Sequence, residues 1–412
     1  MVKKNKELMP LRIAFVSYEY PPETISGGIG TYTKQIASLL ASNKIDVHVF
    51  AGSNIQSGKV SENGVTVHRV CSMGAHDFQK NVLSYFEEEH IKSSFNLIES
   101  AEIHANALAI KIRFPKIPLI VRLHASNWLV ESFKKKYMPL QYKLRFLLGA
   151  LRRGRWDLGY WRNYDFVNDA DYCYLKLADF ITAPTNQMKK WAVENWRLNP
   201  NCIKVLENPF VENEAFKLAR TSNEEHAIIF YGRLNVLKGL ITATKAMKLI
   251  LMKNPAWKWI IIGEDGNAAD GKTSMKEWMQ KELKGLMQQV IFYDTVAHSL
   301  IPCYLKQSSI VLIPSLFESF SYVTIEAMSA GKAVIGSYGT GIESLIENNV
   351  TGILVDPYKS GDWVKTIQKL INNTTLRQGL GKAAYEYADQ KDMCNKSIIA
   401  YYKGMVTEKN KH

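Results

Sequence analysis

The stretch SIVLIPSLFESFSYVTIEAMSAGKAVIGS, residues 309–337, decides the fold. An apolar run at 309–313 stops at Pro314, and a second apolar run follows at 333–337. Continuous runs of this kind are typical of parallel strands that are covered on both faces. The composition between the two runs suits a helix that begins near Phe320. The stretch therefore predicts a strand, a helix and a second, parallel strand.

The same alternation of short apolar runs and helical stretches extends over both halves of the chain. In the first half, strands are predicted at 11–17, 45–50, 65–70, 95–100, 118–123 and 179–183. In the second half, they are predicted at 227–232, 257–262, 290–294, 309–313, 333–337 and 352–355. Apolar residues over 240–251 recur at the spacing of one buried helix face. We expect an α/β protein with two doubly wound parallel-sheet domains.

Chain length also indicates two domains, because single cores stop growing at roughly 250–300 residues and this chain has 412. The break is predicted within 207–216, where a proline and several polar residues precede a new strand. The first domain is predicted at 1–210, with a basic insertion at 128–178. The second is predicted at 211–385, and a largely helical segment at 386–412 completes the chain.

Charge and cysteine content narrow the class of protein. The formal net charge of +13 favours acidic partners, namely phosphorylated small molecules, anionic lipid or nucleic acid. No RNA- or DNA-binding motif is present, so nucleic acid is not an expected partner. The five cysteines are widely spaced and form no CxxC pair, which argues against a disulfide framework and against a zinc site. With neither a signal peptide nor an apolar stretch of about 18 residues, we expect a cytoplasmic protein.

A glycine-rich segment, YEYPPETISGGIGTY (18–32), follows the first predicted strand. Gly28 and Gly30 precede a helix that is predicted to begin near Thr31, and the amides at such a helix start favour an anion. The spacing is GGxG rather than GxGxxG, and no acidic residue ends the second strand, so a nicotinamide cofactor is disfavoured. The segment is either an approach to an anionic ligand or a simple glycine turn.

A charged turn, YGRLNVLKGL (231–240), closes the first strand of the second domain. Arg233 and Lys238 lie five positions apart beside Gly232. Near a strand end and a helix start, these two cations could bind a diphosphate, with arginine supplying a fork and lysine a point charge. The alternative is a solvated charged turn.

Two carboxylates, Glu318 and Glu326, stand at the ends of the stretch ESFSYVTIE, whose other residues are apolar or carry hydroxyl groups. Glu318 is predicted in the loop above a strand end, and Glu326 about one and a half turns into the following helix. Both could accept hydrogen bonds from hydroxyl groups of one elongated sugar ligand. The alternative is a helix cap and an unrelated surface glutamate.

Taken in order, these motifs resemble the family 4 glycosyltransferases of the GT-B fold, also described as glycosyl transferases group 1. The motifs are GGxG, GRLxxxKG, E-x7-E and AGKAVIGSYGTGIESLIENNVTGILVDP (330–357). The resemblance covers about 11–385 and is strongest over 228–357. It implies two Rossmann-like domains that face a cleft, with the last helix crossing back to the first domain.

The resemblance also implies the residues of the site. Those implied in catalysis are His124, Arg233, Lys238 and Glu318. Those implied in donor binding are Gly28, Gly30, Gly232, Asp294, Val296, Phe320, Ser321, Tyr322 and Glu326. In this scheme the two cations hold the donor diphosphate, Glu318 contacts the donor sugar and Glu326 holds the ribose. No metal and no cofactor is implied.

The implied reaction is the retaining transfer of a hexosyl group from a nucleotide sugar to an acceptor hydroxyl. A UDP-sugar is the favoured donor and a GDP-sugar the next, and a role in cell-surface polysaccharide or glycolipid synthesis is expected. The leaving phosphate would accept the proton of the acceptor hydroxyl. A non-catalytic GT-B protein that binds nucleotide sugars is the alternative, and a hydrolase or phosphorylase is the rival within enzymes.

A basic segment at 134–156 holds eight lysines or arginines and no acidic residue. Leucines recur there at helical spacing, at positions 140, 144, 147, 148 and 151. One interpretation is a helix on an anionic membrane surface, at the inner face, which would suit a lipid-linked or polymer acceptor. The other is a solvated insertion that shapes the acceptor pocket.

Overall fold

The computed structural model describes residues 11–24, 27–137, 140–154, 165–210, 214–220, 226–390 and 392–409. The strands are β1 (Arg12–Ser17), β2 (Asp46–Ser53), β3 (Gly58–Glu62), β4 (Val65–Cys71), β5 (Leu97–Ala101), β6 (Leu119–Arg122), β7 (Phe180–Ala183), β8 (Ile203–Val205), β9 (Ala227–Tyr231), β10 (Lys258–Ile262), β11 (Val290–Tyr293), β12 (Ile310–Ile313), β13 (Ala333–Ser337) and β14 (Ile353–Val355). The helices are α1 (Gly28–Ser42), α2 (Ala75–Lys92), α3 (Leu108–Arg113), α4 (Asn127–Tyr137), α5 (Leu140–Arg152), α6 (Ala170–Leu175), α7 (Asn186–Trp196), α8 (Glu214–Leu218), α9 (Leu240–Lys253), α10 (Met275–Glu282), α11 (Ile301–Lys306), α12 (Tyr322–Ser329), α13 (Ser360–Asn372), α14 (Thr374–Asp389) and α15 (Asp392–Lys409).

The chain forms two compact units, each built on one sheet. The first comprises Met1–Ser126, Phe166–Val211 and Asp392–His412, and the second comprises Asn127–Asp165 and Glu212–Lys391. The passage at 211 lies one residue from the predicted boundary, and α15 belongs to the first unit. Most of the predicted insertion, however, groups with the second unit, because α4 contacts the turn Val236–Lys238 there.

The sheet of the first unit has the strand order β3-β4-β2-β1-β5-β6-β7-β8. All its neighbouring strands are parallel except β3, which pairs antiparallel with β4 at one edge. Strand β1 lies between β2 and β5, with Arg12 opposite Asp46 and Ile13 opposite Leu97. The strand order therefore reverses direction at β1, and the crevice beside β1 is the expected ligand position in an open α/β sheet.

The second unit has a parallel sheet with the order β11-β10-β9-β12-β13-β14. Its first strand, β9, lies between β10 and β12, so the direction of strand addition reverses at β9. All five residues of β9 are buried, as are the four residues of β12, which explains their continuous apolar sequence. The apolar face of α9 packs on this sheet and against α13, as its residue spacing predicts.

Two strands escaped prediction, and two helices begin elsewhere than expected. Strand β3 is almost wholly exposed and strand β8 has only three residues, so neither shows a usable apolar pattern. Helix α1 begins at Gly28 rather than near Thr31, and α12 begins at Tyr322 rather than near Phe320.

None of the helices in the described part of the chain is long and apolar enough to cross a membrane.

Candidate active site

The carboxyl ends of β9 and β12 carry most of the residues predicted for the second unit. Strand β9 ends at Tyr231 and leads into Gly232 and Arg233, and β12 leads into the loop that contains Ser315 and Glu318. These neighbouring strand ends flank the point at which the strand order reverses. Ligands of open α/β sheets bind at this position.

Lys238 and Glu318 meet directly in this crevice. The Lys238 Nζ lies 2.5 Å from Glu318 Oε1, and the hydroxyl of Ser315 donates to the same oxygen at 2.9 Å. Asn235 fixes the turn that carries the lysine, because its side chain accepts a hydrogen bond from the Lys238 backbone N–H. Two of the predicted catalytic groups thus form an ion pair before any donor is bound.

Gly239 lets this turn pack closely on the end of β12. Its φ of +68° lies in the left-handed region, and a Cβ built there would sit 1.7 Å from the carbonyl oxygen of Pro314. The backbone N–H of Leu316 also donates to the carbonyl of Leu237 at 2.8 Å. Only glycine satisfies both the backbone conformation and the close approach, so the position of Lys238 depends on it.

Arg233 is exposed and lies two residues after the end of β9. In the part of the chain that the structure describes, its guanidinium makes no hydrogen bond and no ion pair. A guanidinium presents five N–H donors in a planar fork, which matches phosphate oxygens. Arg233 can therefore bind an incoming phosphate without first giving up a partner.

Glu326 lies one turn inside α12, on the side of the helix that faces β9. Its Oε2 accepts from the hydroxyl of Tyr231 at 3.2 Å, and its Oε1 lies 2.8 Å from Nε2 of His298. The hydrogen bond that Glu326 accepts from His298 raises the pKa of His298 above its usual range. The carboxylate is nearly buried and its orientation is fixed from two sides.

The start of α12 supplies backbone donors at the same edge of the sheet. Ser321 caps the helix, since its hydroxyl accepts from the N–H of Thr324 at 3.3 Å. Phe320, Ser321 and Tyr322 are all buried, so their backbone positions are well defined. Helix N-termini favour anions because their first N–H groups have no partner within the helix.

The predicted nucleobase segment follows β11. Asp294 is exposed and pairs with Lys276, whose Nζ lies 2.9 Å from its carboxylate, and Val296 is half-buried. Both lie after the carboxyl end of a strand of the second sheet, like the other predicted donor residues. Their predicted contact with the base stays a prediction.

In the first unit, His124 follows the carboxyl end of β6 and is buried. Its backbone N–H lies 2.9 Å from both carboxyl oxygens of Glu102, which follows β5. Burial, with a smaller contribution from Arg122, lowers the pKa of His124 to about 3. Burial raises the pKa of Glu102 to about 8. At neutral pH the imidazole is therefore uncharged and the Glu102 carboxyl is largely protonated.

A buried network supports His124 from behind. The ring of Tyr32 packs edge-on against the His124 ring at 5.2 Å, and the Tyr32 hydroxyl donates to Glu99 at 2.6 Å. The hydroxyl of Tyr402, from α15, donates to the other oxygen of Glu99. Arg122 lies 4.5 Å over the Tyr32 ring and donates to backbone and side-chain oxygens of the segment that follows β8. Helix α15 thereby helps to hold the setting of His124.

Gly28 and Gly30 lie in the first turn of α1 rather than in a loop before it. Among the residues that the structure describes, no atom lies within 4 Å of a Cβ built at Gly28, whereas one at Gly30 would meet the Glu19 carbonyl at 3.3 Å. The open space beside Gly28 fits the predicted approach of an anionic group to the start of the helix.

Metal-ligating side chains converge once among the described residues, in the first unit. His48, His68 and Glu89 offer ligand atoms that lie within 4.8 Å of one another. The guanidinium of Arg12 already lies 3.0 Å from His48 Nε2, and Lys59 Nζ lies 3.1 Å from Glu89. The positive charges of Arg12 and Lys59 would repel a metal ion, so the cluster fits a buried polar network better than a metal site.

Comparison with known proteins identifies both halves of the chain. Residues 211–387 match the family model described as "Glycosyl transferases group 1", and residues 26–212 match the model described as "Glycosyltransferase Family 4". The D-inositol 3-phosphate glycosyltransferase of Arthrobacter sp. (strain FB24) is 24% identical, over 92% of this chain and 90% of that enzyme.

Solved structures show the same fold. Sucrose-phosphate synthase from Thermosynechococcus elongatus matches with a TM-score of 0.74 at 19% identity, over 97% of this chain and all of that one. The Anabaena protein HepE in complex with UDP-glucose matches with a TM-score of 0.65 at 17% identity, over 96% of this chain and all of that one. The predicted GT-B fold with two parallel-sheet α/β domains is confirmed.

Several residues of the site were not predicted from the sequence. Tyr231 could have been, because it is the last residue of a predicted strand and directly precedes Gly232. His298 and Lys276 carry no such signal, since each meets its carboxylate partner only through the fold. The same holds for Tyr402, which meets Glu99 across most of the chain.

Proposed function

The chain is a family 4 glycosyltransferase, and we propose that it transfers a sugar from a nucleotide sugar to an acceptor hydroxyl with retention of configuration. The observation that carries this proposal is the arrangement at the ends of β9 and β12. Two cations, Arg233 and Lys238, and two carboxylates, Glu318 and Glu326, surround the point where the strand order reverses. This set matches the successive parts of a nucleotide sugar, namely ribose, diphosphate and sugar.

The two cations would act on the leaving group. As the glycosidic bond to the donor breaks, negative charge grows on the diphosphate, and fixed positive charges oppose this growth. Groups that meet charge developed only in the transition state lower the barrier, and one such group contributes about 10²–10³ in rate. The leaving phosphate would take the proton of the acceptor hydroxyl, so no separate protein base is needed.

The carboxylates and His124 would position the sugar. Glu318 would accept hydrogen bonds from donor-sugar hydroxyls once its ion pair with Lys238 has opened, and Glu326 would hold the ribose. The neutral imidazole of His124 can donate to or accept from a sugar hydroxyl without bringing a charge to the reacting carbon. Asp294 and Val296 would flank the base. The backbone could approach the ligand at Gly28, Gly30 and Gly232. Phosphate oxygens would accept from the backbone amides of Phe320, Ser321 and Tyr322.

A UDP-sugar is the first donor to test and a GDP-sugar the second. Support for uridine comes from the Anabaena HepE structure, which holds UDP-glucose in the same fold. A hexosyl group, a cytoplasmic location and a role in cell-surface polysaccharide or glycolipid synthesis stay predictions. No metal is required by the proposed mechanism, because the protein cations provide the charge for the diphosphate.

A thermal-shift panel of UDP-glucose, GDP-mannose, ADP-glucose and a CMP-sugar tests the donor proposal. A ligand at about 100 times its Kd adds about 2.7 kcal/mol to the free energy of unfolding. We expect one nucleotide to stand out, with the gain lost in Glu326→Ala. Absence of any shift across the panel would contradict the proposed donor site.

Product analysis separates transfer from the alternative activities. With the donor from the panel, wild-type protein is expected to release the nucleoside diphosphate only when acceptor is present, with Glu318→Gln inactive and still folded. Release of free sugar without acceptor would indicate a hydrolase, and dependence on phosphate would indicate a phosphorylase. Donor binding without turnover on any acceptor would favour the non-catalytic alternative.

An anionic membrane face is the partner that we propose for α5. Four of its leucines share one side of the helix and are largely exposed: Leu140 (72%), Leu144 (50%), Leu148 (59%) and Leu151 (48%). At 100° per residue they span about 80° of the helix circumference, and Arg145 and Arg152 lie directly beside them. An exposed apolar stripe edged by arginines suits the boundary between lipid head groups and acyl chains, which supports a lipid-linked acceptor.

Sedimentation with phosphatidylglycerol-containing vesicles tests this partner. Binding is expected to fall at least tenfold in Leu144→Glu/Leu148→Glu and to weaken with salt. The matched control is Leu249→Glu/Met252→Glu, which changes two exposed apolar residues of α9. Equal loss in both double variants, or no binding by wild type, would favour the solvated insertion.

A further inference from the structure

The ribose carboxylate proposed above, Glu326, has two protein partners of different character. Tyr231 is a buried residue at the end of β9, and its hydroxyl lies 3.2 Å from Glu326 Oε2. His298 is a rim residue whose side chain is 64% exposed, although its Nε2 lies 2.8 Å from Oε1 of a carboxylate that is 7% exposed. One partner is buried in the core, and the other is largely exposed to solvent.

The tyrosine alone does not satisfy the carboxylate. Its single hydroxyl proton also faces the carbonyl oxygen of Val323, which is closer, at 3.0 Å. A phenol donates one hydrogen bond, so Glu326 shares that proton or loses it to the carbonyl. His298 is therefore the main group that offsets the negative charge of Glu326 in the unliganded protein.

Among the described residues, Glu326 is the one charged group shown to interact with His298. Glu326 is the only charged residue of α12, and β9 contributes Tyr231. The ring of Phe216, from α8, packs 5.6 Å from the imidazole of His298. The carboxylate of Glu326 raises the pKa of His298. The neighbouring elements carry other charged groups. Lys217 pairs with Glu214 and Asp389, and Asp294 pairs with Lys276. Lys306 lies at the far end of α11.

We propose that His298 is a proton-carrying counterion of Glu326 that the ribose of the donor displaces. A ribose offers two adjacent hydroxyl donors, and a carboxylate can accept both. Once these hydroxyls satisfy Glu326, the imidazolium loses its partner and releases its proton. This inference rests on the proposed donor site and adds to it a residue that ties donor binding to pH.

The sign of the pH dependence follows from linkage. Because the free protein holds a proton on His298 that the complex does not hold, donor binding releases that proton. Affinity therefore rises with pH between the pKa of His298 in the complex and its raised pKa in the free protein, by less than about tenfold per unit, and is flat on either side of this window. A histidine that instead assisted the bound ribose would give the opposite slope or none.

Calorimetric titration with UDP-glucose, and in parallel with GDP-mannose, measures this directly between pH 5.5 and 8.5. Nucleotide sugars are used as the ligands because the terminal phosphate of a nucleoside diphosphate titrates near pH 6 and would add its own protons to the measurement. Two buffers of different ionisation enthalpy give the number of protons released. We expect proton release by wild type to be largest between the pKa of His298 in the complex and its raised pKa in the free protein, and to fall away towards pH 5.5 and pH 8.5.

His298→Gln is the decisive variant, and His226→Gln, in the same unit, is its control. His298 is exposed, so its replacement leaves the fold intact, and binding is expected to persist with no proton release. The control is expected to keep the wild-type profile. Weaker binding by His298→Gln at every pH, or unchanged proton release, would overturn the inference.

An NMR titration of the nine histidines provides a check without any ligand. The signal that disappears in His298→Gln is expected to titrate above pH 6.5 in the free protein, and to shift down in Glu326→Gln. With saturating donor it is expected to shift down in wild type as well. An unchanged pKa on donor binding would overturn the inference while leaving the donor site intact. Failure of wild type to bind either nucleotide sugar at any pH would overturn both.

Discussion

Nζ of Lys238 and Oε1 of Glu318 are 2.5 Å apart, so a cation proposed for the donor diphosphate and a carboxylate proposed for the donor sugar are paired with each other. In the proposed complex, the donor diphosphate would contact Lys238 and the donor sugar would contact Glu318. The ion pair holds the two side chains together at the ends of β9 and β12. It also makes the two residues interdependent, because removal of one frees the other.

Removal of the lysine charge should affect turnover far more than stability. Lys238→Met is expected to lower kcat by about 10²–10³, since one preorganised group facing developing charge contributes that much. Both partners retain some solvent exposure, at 26% and 13%, so the loss of stability should stay near 1 kcal/mol or below. Steady-state kinetics and thermal denaturation measure the two effects. Lys92→Met, which also breaks an ion pair, is the control, and an equal loss of activity there would contradict the assignment.

Gly239 and Gly271 form a matched pair of left-handed glycines. Their φ values are +68° and +66°, yet a Cβ at Gly239 would collide with Pro314 whereas no atom lies within 4 Å of one at Gly271. Gly271→Ala is expected to cost about 1 kcal/mol from backbone strain alone. Gly239→Ala should cost clearly more and abolish transfer, because the turn must move away from β12 and carry Lys238 with it. Similar melting temperatures for the two variants would contradict this account.

The buried Glu102 should make stability depend on pH. Its pKa is about 8 in the folded protein and near the ordinary value of 4.5 when unfolded, so between these values the native state holds a proton that the unfolded state has lost. Stability therefore falls as pH rises through this window, at up to about 1.4 kcal/mol per unit. Glu102→Gln, which mimics the protonated form, is expected to gain stability relative to wild type from pH 5.5 to 8. Parallel melting profiles for the two proteins would argue against a protonated Glu102.

Tyr402 should be needed for the setting of His124. Tyr402→Phe leaves one oxygen of the buried Glu99 without that donor, which costs about 1–3 kcal/mol. Because Tyr32 holds the other oxygen and packs on His124, kcat is expected to fall as well. Tyr401→Phe is the neighbouring control, since Tyr401 is only half-buried and donates no hydrogen bond to Glu99 among the described contacts. Wild-type activity in Tyr402→Phe would show that α15 does not act on the site.

Much of the fold could be predicted because buried parallel strands leave a strong mark in the sequence. Each of the strands predicted from a continuous apolar run is present, among them β9 and β12. Strand β3 pairs antiparallel at an exposed edge, so selection for apolar residues is weak there and the sequence GKVSE shows no pattern. The grouping of α4 with the second unit depends on contacts with a turn about a hundred residues later, which local sequence does not encode.

The candidate site divides in the same way. Arg233 and Glu318 follow predicted strands directly, and open sheets place such residues at one edge, so their grouping was predictable. The pairing of His298 with Glu326 joins residues 28 positions apart on different elements. Its geometry depends on how α12 packs beside β9, and no residue spacing expresses that packing.

The hydrogen bond between Tyr402 and Glu99 spans 303 residues of chain, and this separation orders events during synthesis. The whole second unit leaves the ribosome between these two residues, at about 5–20 residues per second. Glu99 therefore cannot accept the hydrogen bond from Tyr402 until the last part of the described chain has been synthesised. The unit whose translation begins first is thus completed last. A ribosome that stalls before α15 leaves a complete second unit joined to an incomplete first unit.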